Sequence, residues 1–326
     1  MVIVMSFLAS PARRRRATLA ATAALATATT LALAACSSSS DGATSTDGTT
    51  GASGSCPTKP VDVVVSVDQW GDLVSQLGGD CTNVTTVLAS SSVDPHDYEP
   101  SPADAVKFTK AKLVVVNGAD YDPWASKLAA SSAKSAPVVD AGKVVGAADG
   151  ANPHLWYSPD YVTKVSDAVT QELETLAPDA KSYFEQQRSK LTQTLQPYTD
   201  LVAKLKKEAA GKTYGATESV FDYMAQAIGL VDKTPAGFAR AADNESDPSP
   251  ADLKDFQNVL ADKSVDVLIY NTQTEGSIPE QVHQAAEKAG VPIVDVTETV
   301  APGASSFEDW QVSQLTALAK ALGVDA

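Results

Sequence analysis

Short β-branched apolar runs alternate along this chain with longer segments whose apolar positions recur at three- and four-residue spacing. Residues 61–67 predict a buried strand, and residues 69–77 carry helical spacing that stops at Gly78-Gly79. Residues 84–88 predict a second strand. A helix over 102–110 follows, with Ser101 as its N-cap and Pro102 in its first turn. Residues 113–116 predict a third strand ended by Asn117-Gly118, residues 138–140 a fourth, and the Gly/Ala stretch 142–151 a loop. Ser158-Pro159 opens a helix toward Leu176. Residues 178–210 then read as one long helix with Pro197 as a kink; its roughly 33 residues span on the order of 50 Å, enough to bridge two lobes.

The alternation resumes beyond that helix. Strands are predicted over 212–216, 265–270 and 292–296, helices over 220–227, 250–260, 279–289 and 307–322, and a polar loop over 241–248. Continuous apolar strands between helices indicate parallel sheets covered on both faces. The expected fold is therefore α/β: two βαβ lobes with parallel sheets joined by a long rigid linking helix. The boundaries are 58–177 for the first lobe, 178–211 for the helix and 212–326 for the second lobe. A faint echo links the halves. Glu99-Pro100-Ser101-Pro102-Ala103-Asp104 recurs as Asp247-Pro248-Ser249-Pro250-Ala251-Asp252, which fits two related lobes or convergence on one good helix start.

The N-terminus changes the setting. Arg13 to Arg16 precede an almost uncharged Ala/Thr-rich segment that ends Leu33-Ala34-Ala35-Cys36, the pattern of a signal peptide over 1–35 with a lipobox. Cys36 is then the lipid attachment point, and a transmembrane anchor fits the composition less well. Residues 37–57 are too polar and small to pack and read as a tether. The expected location is the extracytoplasmic face of the cell membrane. Cys56 and Cys81 remain, either as one disulfide in an exported chain or as two separate buried thiols. Removal of four arginines and no acids moves the formal charge from −15 to about −19, which argues against nucleic acid as a partner.

Candidate chemistry gathers at loops. Val93-Asp94-Pro95-His96-Asp97-Tyr98-Glu99 places an imidazole on a proline-stiffened loop after the second strand, and Asn152-Pro153-His154 does the same ahead of a capped helix. Glu218 and Glu298 follow strands of the second half. Ligands in parallel α/β sheets collect beyond the carboxyl ends of the strands, so His96, His154, Glu218 and Glu298 are placed to meet at one ion in the cleft between lobes. Two neutral imidazoles and two carboxylates balance a divalent charge. Taken singly, Glu218 also fits a helix N-terminal acid and Glu298 a solvated loop acid. Asp94, Asp97 and Glu99 fit solvent or the orientation of the His96 loop. His283 lies mid-helix and is assigned to the helix surface, and Trp70, Trp124, Trp156 and Trp310 fit core or pocket lining.

With these segments in view, the chain resembles the metal-binding solute-binding lipoproteins of bacterial zinc and manganese ABC importers. The likeness runs from Val61 to Leu322 and is carried by Asp94-Pro95-His96-Asp97-Tyr98-Glu99-Pro100, Ala111-Lys112-Leu113-Val114-Val115-Val116-Asn117-Gly118, Asn152-Pro153-His154-Leu155-Trp156 and Ala216-Thr217-Glu218-Ser219. The resemblance implies two α/β lobes, one Zn2+ or Mn2+ ion held as cargo, no catalysed reaction, and a monomer that delivers the ion to an ABC permease and its ATPase. It carries the ligand roles onto His96, His154 and Glu218. Thr297-Glu298-Thr299 stands where an Asp is common in the family, so Glu298 takes the fourth role with a longer reach. The oxygen third ligand and the lack of a His-rich loop lean toward manganese, while intrinsic affinity favours zinc. Two other classes fit less of the sequence. A secreted metallohydrolase needs an open metal position and a general base, and the chain has neither His-Glu-x-x-His nor Gly-x-Ser-x-Gly; a surface adhesin would not need the four ligands.

Overall fold

Two parallel four-stranded sheets carry the chain, and both are assembled in the same order. In the computed structural model residues 55–89, 98–148, 150–244, 246–274 and 276–325 are described. The signal segment, Cys36, nearly all of the tether, and the loop that bears Asp94, His96 and Asp97 lie outside them.

The first sheet is built from β1 (Val61–Val67), β2 (Thr82–Leu88), β3 (Leu113–Val116) and β4 (Val138–Asp140), with helices α1 (Asp68–Gly78), α2 (Pro102–Phe108), α3 (Pro123–Ser132) and α4 (Ala141–Val145) between or after them. Its order is β2-β1-β3-β4. Every ladder is parallel, with Val63 opposite Val84 and Leu113, and Val115 opposite Val139. The inner strands β1 and β3 hold the longest apolar runs, as a sheet covered on both faces requires. Helix α1 lays Trp70, Leu73, Val74 and Leu77 on the sheet at helical spacing.

Helices α5 (Pro159–Leu176), α6 (Lys181–Thr194) and α7 (Gln196–Glu208) then lead to the second sheet, made of β5 (Thr213–Ala216), β6 (Val231–Asp232), β7 (Val267–Asn271) and β8 (Ile293–Val296). Its order is β6-β5-β7-β8, again parallel throughout. Helices α8 (Asp222–Ile228), α9 (Ala236–Asp243), α10 (Pro250–Ala261), α11 (Ser277–Ala289) and α12 (Phe307–Ala321) complete it. The sequence echo falls at matching places in the two topologies. Ser101 caps α2 and Ser249 caps α10, and each of these helices feeds the inner strand, β3 or β7, that ends at an asparagine.

Several expectations are corrected here. The long helix is two helices, interrupted at Leu195, because Pro197 has no N–H to return to Gln193. The interruption is narrow: Leu195 N–H bonds Leu191 O, and Leu195 O accepts from Thr199 N. Helix α6 packs on α1 and α5, whereas α7 packs on α8 and α12, so the pair spans from one sheet's cover to the other's. Part of the expected 142–151 loop is α4, which starts where the Asp140 carboxylate accepts from Lys143 N. The expected 241–248 loop begins inside α9. Helix α3 and the two-residue β6 were too weakly patterned to read; β6 pairs only at Thr213–Val231 and Tyr214–Asp232.

A single apolar cluster runs from β1 and α1 through Phe184 and Leu205 to Phe307, Trp310 and Leu318. A smaller one beneath α10 and α11 is centred on Phe256 and Leu260. Cys56 and Cys81 are joined, Cα to Cα 4.9 Å, which ties the segment ahead of β1 to the turn after α1. Cys81 is buried, so Cys56→Ala removes the cross-link and leaves the core packing in place. With the two cysteines separated by 25 positions in sequence, loop entropy in the unfolded chain predicts a loss of about 3–4 kcal/mol. Urea unfolding followed by tryptophan fluorescence measures it, and an unchanged midpoint would show that the cross-link contributes nothing.

Candidate metal centre

All strands of both sheets run in parallel, so their carboxyl ends deliver loops to one side of each sheet. From β5 the chain passes through buried Thr217 to Glu218, which is extended at φ −153° and ψ 168°. Asn271, at the end of the neighbouring β7, donates from Nδ2 to Glu218 Oε2 at 2.5 Å. Thr217 Oγ1 in turn accepts from Asn271 N at 3.1 Å. Burial pushes the Glu218 carboxyl above its ordinary range; the Thr274 hydroxyl nearby and the hydrogen bond from Asn271 oppose this, the negative charge of Glu298 adds to it, and His154 offsets it.

The segment after β8 is pinned more heavily still. Tyr157 Oη donates to Thr297 O at 2.6 Å, and Trp310 Nε1 donates to Thr297 Oγ1 at 2.9 Å. Gln314 Oε1 accepts from Thr297 N at 3.0 Å. Gln273 Oε1 accepts from both Glu298 N, at 2.6 Å, and Thr299 N, at 2.9 Å. Gln69, at the start of α1, donates from Nε2 to Glu298 O at 2.9 Å. Groups from both sheets' surroundings thus hold three consecutive residues. The Glu298 side chain is only 15% exposed, so it is not a solvated loop acid.

His154 sits on the first lobe's last loop, ahead of the turn Leu155–Tyr157. Its ring lies edge-on to Trp156 at 5.5 Å and near Tyr121 at 6.2 Å, and the residue is buried. Asn152 Oδ1 contacts His154 Nδ1 at 2.7 Å and accepts from His154 N at 2.9 Å. The other ring nitrogen, Nε2, lies 3.6 Å from Glu298 Oε1. Asn117 Nδ2 supports the loop from behind by donating to Pro153 O at 2.9 Å.

His154 and Glu298 therefore meet, and Glu218 is near enough for both of their charges to act on it. Among the described residues no three His, Cys, Asp or Glu side chains close into a ligand group. His96 lies outside the described residues. Glu99 is exposed, and His283 is spent on the surface of α11, with Nδ1 3.7 Å from Glu287 and its ring 4.8 Å from that of Tyr270.

Sequence reading passed over the residues that hold the candidate side chains in place. Tyr121 is fully buried, accepts from Gln69 Nε2 at 2.9 Å, and hydrogen-bonds the Glu298 carboxylate. It is brought there by a left-handed run at Gly118, Ala119 and Asp120, with φ of +68°, +49° and +60°. Two of these are not glycine, a conformation costing on the order of 1–2 kcal/mol per residue. The run is locked by Asp122, whose carboxylate accepts from Asn117 N and Gly118 N at 2.8 Å each. The Asn117-Gly118 turn signal was visible in the sequence; its link to Glu298 was not.

A family model described as "ZnuA: Zinc-uptake complex component A periplasmic" matches residues 63–321. The high-affinity zinc uptake system protein ZnuA of Bacillus subtilis (strain 168) is 26% identical over 203 residues, 56% of this chain and 62% of that protein, so the match leaves more than a third of the relative uncovered. The manganese ABC transporter substrate-binding lipoprotein PsaA of Streptococcus mitis is 24% identical over 258 residues, 72% of this chain and 80% of that one. Among solved structures, the SBP FpvC from Pseudomonas aeruginosa in complex with Mn2+ superposes with a TM-score of 0.68 at 23% identity, covering 81% of this chain and 99% of that chain. At that identity the likeness is one of fold.

The raised carboxyl of Glu218 bears on the pH behaviour of the metal-free protein. A carboxyl whose folded pKa is raised is protonated in the folded state while already ionised in the unfolded chain, so stability falls as pH rises through that window. Glu218→Gln keeps an acceptor for Asn271 and removes the charge. It is expected to raise the melting temperature of chelator-treated protein at pH 7–8 and to leave it unchanged below about pH 4, where the unfolded chain is protonated too. Thermal unfolding at both pH values checks this, and equal shifts at the two would refute the electrostatic cause.

Proposed function

The chain belongs to the periplasmic zinc-uptake component A family, and from that premise we propose that it is an extracytoplasmic solute-binding protein that captures one divalent transition ion, Zn2+ or Mn2+, as cargo. The observation that carries this reading is the meeting of His154 Nε2 with Glu298 Oε1 at 3.6 Å, beside a Glu218 whose carboxyl is destabilised by burial. Two acids half-withdrawn from water next to an imidazole nitrogen are costly without a counter-charge, and a divalent ion supplies it. His96, on the loop after β2, completes the set of four.

Each ligand has a stated part. His154 and His96 donate nitrogen without adding charge, and Glu218 and Glu298 each bring one negative charge, so the ion is held in a neutral group. Four protein ligands leave no position for an activated water, which sets this site apart from a hydrolase. One oxygen from each acid gives the tetrahedral arrangement that suits Zn2+; two from each raises the coordination number and suits Mn2+.

The remaining parts of the reading follow the chain order. Residues 1–35 direct export, Cys36 takes the lipid, and residues 37–57 link that anchor to the first lobe. The lobes, 58–177 and 212–326, flank a linking segment at 178–211, and the loaded monomer hands its ion to an ABC permease and its ATPase. No helix among the described residues is long and apolar enough to cross a membrane.

Protein stripped with chelator and re-equilibrated is expected to retain one ion per chain by elemental analysis, and His154→Ala and Glu298→Ala to retain it substoichiometrically after gel filtration. Full retention in both variants overturns the assignment. Offering Zn2+ and Mn2+ in competition, together with metal-limited growth of a deletion strain, separates the ion bound best from the ion supplied.

A further inference from the structure

Asn152 touches ligand-bearing segments from both halves of the molecule. Its Oδ1 faces the His154 backbone N–H at 2.9 Å, and its Nδ2 faces the Ser219 carbonyl at 2.7 Å. The first partner can only donate and the second can only accept, so the orientation of the amide is fixed. Oδ1 is then an acceptor where it meets His154 Nδ1 at 2.7 Å, and Nδ1 must carry the ring proton. In the neutral ring the lone pair is then on Nε2, the nitrogen that lies 3.6 Å from Glu298 Oε1. Asn152 is itself held, because Tyr223 Oη donates to its carbonyl oxygen at 2.9 Å.

From this geometry, and resting on the metal-capture reading above, we infer that Asn152 is the positioning residue that selects Nε2 as the donor atom of His154 and joins that choice to the Glu218 segment through Ser219. Ordering the ring proton in advance removes a tautomer that would present N–H to the ion. The same amide holds the residue that follows Glu218, so withdrawal of the second lobe's loop pulls on the contact that orients the imidazole. A neutral amide also polarises the ring less than a carboxylate would, since an anionic partner on Nδ1 raises the basicity of the opposite nitrogen.

Two substitutions separate the parts. Asn152→Asp keeps an oxygen for Nδ1 and for His154 N but cannot donate to Ser219 O; Asn152→Ala loses both contacts. Metal affinity is read by competition with a chromophoric chelator, using Zn2+ and Mn2+ in separate titrations. Asn152→Ala is expected to bind about 10–100-fold more weakly, and Asn152→Asp to return within about threefold of the parent or to bind more tightly. Two results overturn the inference: native affinity in Asn152→Ala, or an Asn152→Asp that is no better than Asn152→Ala. His154→Ala, titrated alongside, tests the underlying reading separately, since a metal-retaining His154→Ala removes the site while a metal-free one leaves Asn152 to be judged on its own variants.

The ring proton is also read directly in the unsubstituted, metal-free protein. The chain has three histidines, so 15N-labelled imidazoles are assignable by single substitution at His96 and His283. Long-range 1H–15N correlation is expected to show His154 as the Nδ1–H tautomer, and an Nε2–H tautomer there overturns the inference without any variant at Asn152.

Discussion

Like-charged carboxylates held close together out of water are the constraint around which this molecule is arranged. Burial raises Glu218, and the charge of Glu298 raises it further. Asp68, at the start of α1, is pushed to about 6 by burial, which a hydrogen bond from the Val300 backbone opposes. Concentrating acids in this way lowers the stability of the empty protein near neutral pH, and only an interaction absent from the unfolded chain reverses the loss. A divalent cation has that property. Charge density here is better explained by what the site binds than by the overall acidity of the chain, which serves solubility equally well.

Acids so placed would move apart if their backbones allowed it, and the scaffold does not allow it. The two sheets solve the problem with the same device. At the end of inner strand β3, Asn117 accepts from Trp70 Nε1 and donates to Pro153 O, just ahead of His154. At the end of the matching strand β7, Asn271 accepts from Gln273 N and donates to Glu218. A short amide on a rigid strand end fixes a neighbouring loop without adding charge, which is what a site already crowded with acids requires.

The sequence showed the scaffold more fully than the site. β-branched runs and Ser-Pro helix starts located seven of the eight strands and nearly every long helix, because burial on both sheet faces leaves an uninterrupted apolar signature. What escaped were elements with little of their own pattern: β6, with two residues, helices α3 and α9, and α4, whose Gly and Ala residues read as loop. Proline at 197 was read as a kink, and the backbone answers with a narrow interruption at Leu195. At the site, the candidate acids and imidazoles stood out by residue type and by position after strands. Tyr121, Gln69 and Gln273 did not, because their roles come from hydrogen bonds spanning up to 229 residues of sequence, for which no local spacing exists; Asn152 was legible only as part of the Asn152-Pro153-His154 segment, without its reach to Ser219.

Those long-range contacts bear on how such a protein opens. The apolar cluster is continuous from α1 through α6 and α7 to α12, and core of this density resists a wide hinge between the sheets. Mobility is instead available in loops whose anchors are polar and exchangeable with water. The segment 297–299 is tied by Tyr157, Gln273, Gln314 and Trp310, whereas the Glu218-Ser219 segment is tied by the Asn271 amide on the Glu218 carboxylate and the Asn152 amide on the Ser219 carbonyl. The second segment has fewer side-chain ties than the first. On the metal-capture reading proposed above, loosening of the site begins on the Glu218 side, where fewer hydrogen bonds hold the backbone, while His154 and Glu298 stay in place.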